Sequence, residues 1–321
     1  MLLKFTVVLA AAMACCSVVS AHEYPDKPVS LVVPFAPGGT VNLTARLLTA
    51  RMSQMLGQPV VVDNKPGAGG AIGAGFVAKA RADGYTLLYA TMGSQVIQPL
   101  ISRNLSFSPS KDFTPIALFA TVPNVLAVSA NTPAKNIAEL IQYAKANPGK
   151  LNMGSAGQGS VNHMIGELFM LRTGVKFTHV PYKGAGPATT DLLAGQIQVL
   201  FANLPGLQPY VKSGKVKLLG VASRQRNPAI PDVPTFAELG IKDAETESWS
   251  ALMAPAGTNP EVIRKLQDTV RAIATDPAMV RQLNVQGAQP FYGNAQNLDK
   301  VIADDTRRWA EVVKHANIQL E

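Results

Sequence analysis

Cysteine is close to absent. The chain of 321 residues holds two, Cys15 and Cys16, and both lie in its first 21 positions. Without that segment no disulfide framework, cysteine-based zinc site or thiol nucleophile can be built. Histidine is scarce too: His22, His163, His179 and His315 show no HExxH or paired spacing, so no metal site is expected. The strained Gly-x-Ser-x-Gly turn of serine hydrolases is missing, since "GSAG" at 154–157 has its serine one position early. "SPSK" at 108–111 carries a proline and no following apolar helix. "PGAGGAIGAG" at 66–75 separates Gly70 from Gly75 as a P-loop does, but lacks the Lys-Ser/Thr that would reach a phosphate. Neither a catalytic apparatus nor a cofactor is therefore expected. No basic helix or aromatic-interleaved basic stretch appears, which argues against nucleic acid.

What the first 21 residues do contain fits an export signal. Lys4 precedes the apolar run "FTVVLAAAMA", too short to span a bilayer, and Val19-Ser20-Ala21 offers small residues for cleavage. A membrane anchor is the competing reading. A lipoprotein is disfavoured, because no leucine stands three residues before Cys15 or Cys16. No second apolar run approaches membrane length. An exported chain without disulfides must be stable through its core, and about 300 residues is enough for two lobes. Basic residues number 29 against 21 acidic. Only Lys4 of these lies in the leader, so the mature chain keeps a basic surplus able to concentrate small anions.

Strand-like and helix-like stretches alternate along the rest. "VSLVVPF", a helix from Asn42 to Leu56, "PVVVDN", "GAIGAGFVAKARA" and "DGYTLLYAT" make a βαβαβ series. A second series runs from "VLAVSA" (125–130) to "KVKLLGVAS", and "ESWSALMAP" then returns to the first. Helices close the chain at Pro260–Ala274, Asp276–Gln286 and Asn297–Ala316. The expected fold is α/β: a leader at 1–21, lobe one at 22–123 plus 247–321, and lobe two at 124–246. Each lobe is a mostly parallel sheet flanked by helices, and two crossings form the hinge.

Four strand-to-helix turns are rich in Gly, Ser and Thr: "PFAPGGTVN" (34–42), "TMGSQ" (91–95), "GSAGQGS" (154–160) and "YKGAGP" (182–187). Such turns sit where open α/β sheets bind ligands, and each offers backbone N–H groups at the positive end of a helix. Gly38 and Gly39 let a ligand approach the main chain, Pro34 and Pro37 set the turn beforehand, and Ser160 can cap its helix. Two turns per lobe describe a cleft for a carboxylate, closed by hinge motion.

These segments, with "VVVDNKPGAGGAIGAGFVAKARADGYTLL", "HVPYKGAGPATTDLLAGQIQVLFAN" and "APAGTNPEVIRKL", resemble a Bug-type extracytoplasmic solute receptor, the substrate-binding component of tripartite tricarboxylate transporters. The resemblance runs from about Tyr24 to the C-terminus. It implies a two-lobed periplasmic-binding-protein fold, a small organic carboxylate as ligand and membrane permease subunits as partners; a periplasmic monomer is expected. Carried over residue by residue, it implies contacts from Phe35, Gly38, Gly39, Thr40, Ser94, Ser155, Gly159, Ser160, Tyr182 and Gly184. Two departures stand at site positions: Asn42, where the family commonly has Asp, and Ala202 in "FAN" (Ala202-Asn203), where it often has "FDN". Both remove negative charge, so a ligand without an ammonium group is expected. Two further readings use the same cleft. One is an exported hydrolase with His163 or His179 as base against Ser155, Ser160 or Asp191; the other is a ligand sensor feeding a membrane kinase.

Overall fold

The computed structural model describes residues 23–319. The leader, Cys15, Cys16 and His22 lie outside the described residues. Strand β1 (Val29–Val33) leads into helix α1 (Thr40–Leu56), which Gly57 ends in the left-handed conformation. Then come β2 (Val60–Asn64), a 3₁₀ turn at Ala68–Gly70, α2 (Ala71–Ala78) and β3 (Thr86–Thr91). A π-type turn at Gly93–Ile97 runs into α3 (Gln98–Ile101) and the 17-residue β4 (Phe113–Ser129). The second series is α4 (Ile137–Ala146), β5 (Asn152–Ser155), α5 (Val161–Thr173), β6 (Thr178–Pro181), α6 (Ala185–Leu193), β7 (Val199–Asn203), α7 (Leu204–Lys212) and β8 (Val216–Val221). The chain closes with β9 (Glu247–Pro255), α8 (Pro260–Thr275), α9 (Pro277–Val285), β10 (Gln289–Asn294) and α10 (Ala295–Ala316).

The sheet runs β2-β1-β3-β9-β4-β7-β5-β6, with β10 and β8 also paired to β4. It is mixed where a mostly parallel sheet was expected. β2-β1-β3 and β7-β5-β6 are parallel, whereas β9, β10, β7 and β8 all run antiparallel to β4. No strand was expected at 113–124, where Pro115 and Pro123 stand. Bulges in the β4–β9 pairing, one of them just after Pro115, absorb the lost donor. β4 changes partners along its length: Phe113–Pro123 face β9, and Asn124–Val128 face β7. Helix α7, which holds two prolines and a glycine, and the short β10 were not expected either.

Strand periodicity sorts the apolar residues. Leu31 and Val33 join a core under α1 and α8, while Val32 points to the opposite layer. That opposite layer is continuous across both halves of the sheet, joining Val32, Met92 and Leu118 to Phe169, Phe201 and Trp309. A third cluster, with Leu192, Leu200 and Leu207, covers the other face of the second half.

Candidate functional site

The doubled prolines and glycines after β1 have separate tasks. Pro34 is buried, and a Cβ at Gly73 of α2 would lie 2.8 Å from its Cβ and 2.9 Å from the Lys65 carbonyl oxygen. Only glycine permits that approach, so α2 acts as the floor of the β1–α1 loop. Gly73→Ala is expected to destabilise the fold by about 1–3 kcal/mol through overpacking and to weaken ligand binding with it. Thermal melts and titrations check this, and a variant unchanged in both removes the proposed support.

The Phe35 carbonyl accepts from Asn64 Nδ2 at 2.7 Å, and Asn64 Oδ1 accepts from Asn42 Nδ2 at 3.1 Å. Asn42 Oδ1 in turn accepts from Arg46 Nε at 3.0 Å. Asn42 is 2% exposed, and its amide is spent on holding the loop. Asn64, which the sequence reading passed over, ends β2 directly opposite Val33 in the parallel register. Its place at a strand's carboxyl end was the available signal.

At the head of α1, Gly38 adopts φ +87° and Gly39 is the N-cap, and a Cβ at either position would meet nothing within 4 Å. No side chain caps this helix and no acid stands in its first turn. The N–H groups of Thr40, Val41 and Asn42 meet no protein acceptor among the described residues. Helices α2, α6 and α7, which start at Gly70, Gly184 and Asn203, are likewise uncapped. Helices α4, α5, α8, α9 and α10 all carry side-chain caps.

Four sequence-derived positions are committed internally. Ser94 is fully buried and exchanges hydrogen bonds with Thr91, including Oγ to the Thr91 carbonyl at 3.2 Å. Ser155 is fully buried and bonded to Gly157 and His179. Gly159 N–H donates to His163 Nδ1 at 3.1 Å. The Tyr182 hydroxyl donates to Asp191 at 2.6 Å, and burial, followed by that carboxylate, pushes its pKa up to about 12. Ser160 caps α5 by accepting from His163 N–H, and Gly184 begins α6 in open space. Ala202 is buried on β7 opposite Val125, while Asn203 lies opposite Asn124.

Several of these elements converge. A Cβ at Gly70 would sit 3.4 Å from the Phe35 ring and 3.1 Å from Ser94 Cβ. One at Gly93 would sit 3.5 Å from Val161 Cγ2, which brings the turn after β3 against the start of α5. Where β4 changes partners, Asn124 donates to Ser248 Oγ at 3.0 Å and accepts from Asn162 Nδ2 at 3.5 Å. No sequence pattern announced that trio, because its members come from three distant segments.

His179 Nε2 lies 2.7 Å from Ser155 Oγ, the contact the hydrolase reading asked for. It does not make a catalytic pair. The serine is 0% exposed, so no substrate reaches it. Burial, then the neighbouring His163, holds His179 at about 4, too weakly basic to take a hydroxyl proton. No carboxylate orients the His179 ring among the described residues, and none of their side-chain clusters suits a metal ion.

Residues 44–318 match the family described as "Tripartite tricarboxylate transporter family receptor". The chain belongs to that family. It is similar to the protein BugT of Bordetella pertussis, at 37% identity over 304 residues that cover 94% of this chain and 93% of BugT. Among solved structures, Rpa4515 of R. palustris with adipate is 39% identical, with a TM-score of 0.87 over 92% of this chain and 99% of that one. MatC from Rhodopseudomonas palustris with bound malate is 34% identical, with a TM-score of 0.82 over 90% of this chain and 100% of that one. The chain is thus a receptor of the tripartite tricarboxylate transporter family and not an enzyme. No helix among its described residues is long and apolar enough to cross a membrane.

Proposed function

We propose that the receptor works in the periplasm after its first 21 residues are removed. There, as a monomer, it closes lobes 22–123 plus 247–321 and 124–246 on a small organic carboxylate without an amine, which it hands to membrane permease subunits. The observation that carries the ligand site is the head of α1, where free N–H groups, open space over Gly38 and Gly39, and a 17-residue helix dipole favour an anion. The heads of α6 and α7, at Gly184 and Asn203, supply further donors from the second lobe. The change of β4 partners between Pro123 and Asn124 supports the lobe boundary.

The preference against an amine rests on Ala202, because the Asn42 amide is bound within the protein. Adipate and malate, named with two relatives, are diacids without an amine. Thermal melts against matched pairs, such as malate with aspartate, test the reading. A diacid at a hundred times its Kd stabilises the fold by ~2.7 kcal/mol, an upward shift of several degrees. Aspartate shifting the melt more than malate rejects the amine argument. A carboxylate library that leaves the melt unmoved rejects the ligand class.

A further inference from the structure

Beneath the loop that joins β5 to α5, two imidazoles stack with centroids 3.7 Å apart and planes 12° from parallel. Each ring holds one part of the loop. His163 Nδ1 accepts the Gly159 N–H at 3.1 Å, and His179 Nε2 meets Ser155 Oγ at 2.7 Å. Ser155 Oγ also receives the Gly157 N–H at 3.1 Å and lies 3.0 Å from the Gly157 carbonyl. The Gly159 contact fixes one proton. A ring nitrogen that accepts an N–H carries none of its own, so the His163 proton is on Nε2, 3.2 Å from Glu167 Oε1. The single Ser155 proton serves Gly157 if His179 Nε2–H donates to the hydroxyl. Every partner is then satisfied with both rings neutral.

We propose that His163 and His179 are positioning residues for ligand capture. Their neutral stack holds the 155–160 loop in its binding shape, and a proton added to His163 drives the Gly159 N–H away and loosens the receptor's grip. This rests on the reading that the loop faces the ligand.

Adding a proton at Nδ1 sets donor against donor at Gly159, and charging both rings sets like charges face to face. Glu167, on α5 itself, is bonded to His163, and Asp191, on α6, is taken up by the Tyr182 hydroxyl. Burial, then His163, lowers His179 to about 4, so the folded loop keeps a neutral ring where an unfolded chain would already be charged. That contribution is present above roughly pH 6.5, the ordinary histidine value, and is lost as the pH falls toward the folded value.

Titration of adipate and malate between pH 7.5 and 5 tests the proposal on three proteins. In the wild type, affinity falls at least tenfold. His163→Asn keeps an acceptor near Nδ1 but cannot titrate, so it binds within about threefold of wild type at pH 7.5. Its remaining pH dependence is the ligand's own and is smaller than the wild type's. His163→Phe keeps the stack without the acceptor and loses at least tenfold at pH 7.5. Equal pH profiles for wild type and His163→Asn, or His163→Phe binding as wild type does, overturn the proposal. Nuclear magnetic resonance of the ligand-free wild type decides even if a variant fails to fold or neither acid binds. The Gly159 amide shift must follow the His163 ring titration, and an amide that ignores it overturns the lock. Neither acid binding at pH 7.5 counts against the ligand reading, separately from the lock.

Discussion

Gly39→Asp is expected to weaken carboxylate binding at least a hundredfold while leaving the receptor as stable as before or slightly more so. Gly39 sits at φ −79° and ψ 165°, a conformation open to any residue, and a Cβ there touches nothing within 4 Å. The new carboxylate would cap α1, a change worth a few tenths of a kcal/mol over glycine. It would also put a fixed negative charge where the ligand's own charge belongs. At about 4 Å and an effective dielectric near 20, that repulsion is ~4 kcal/mol, roughly a thousandfold in Kd before salt screening. Calorimetric titration gives the affinity and a melt gives the stability. Binding within threefold of wild type would move the ligand away from the head of α1. Destabilisation beyond about 1 kcal/mol would mean that the turn has demands beyond leaving space.

Trp309→Ala is expected to cost ~3–5 kcal/mol, and to lower the melting temperature by about 10 °C. Trp309 is fully buried on α10, and its Nε1–H points to Met92 Sδ at 3.2 Å. Met92 opens directly into the turn that holds Ser94, so the C-terminal helix props one edge of the candidate site. The other tryptophan is tied to the same helix, with Trp249 Nε1 donating to Asp305 at 2.7 Å. The layer around Trp309 runs across both halves of the sheet, so its loss is felt by both. Trp309→Phe should recover most of the deficit. A drop of less than about 3 °C for the alanine variant would show that the helix is held elsewhere.

The parts of the candidate site legible in sequence were those built from local rules. Gly38 and Gly39, Ser160 as a cap, and the turns after β1, β3, β5 and β6 follow from where strands end and helices begin. The roles of the side chains did not follow. Ser94, Ser155 and Tyr182 looked like ligand donors, but each is satisfied by a protein partner. For Ser94 that partner is only three residues away. Asn42 looked like a specificity position, yet its partner Asn64 comes from the adjacent strand. A polar residue's availability depends on what else reaches it, and a linear pattern does not hold that information.

By itself the sequence determined the α/β character, the series of strand-to-helix turns, the lack of cysteine beyond residue 16 and, through its motifs, the family. These are set by neighbours in the chain, where periodicity and glycine or proline geometry act within a few residues. Tertiary structure decided that β4 is one long strand shared by both halves, that α10 supports the turn after β3, and that two histidines 16 residues apart stack beneath a loop. Each of those depends on groups from separate segments meeting in a dry interior. There an unpaired hydrogen bond costs enough to choose one arrangement among many.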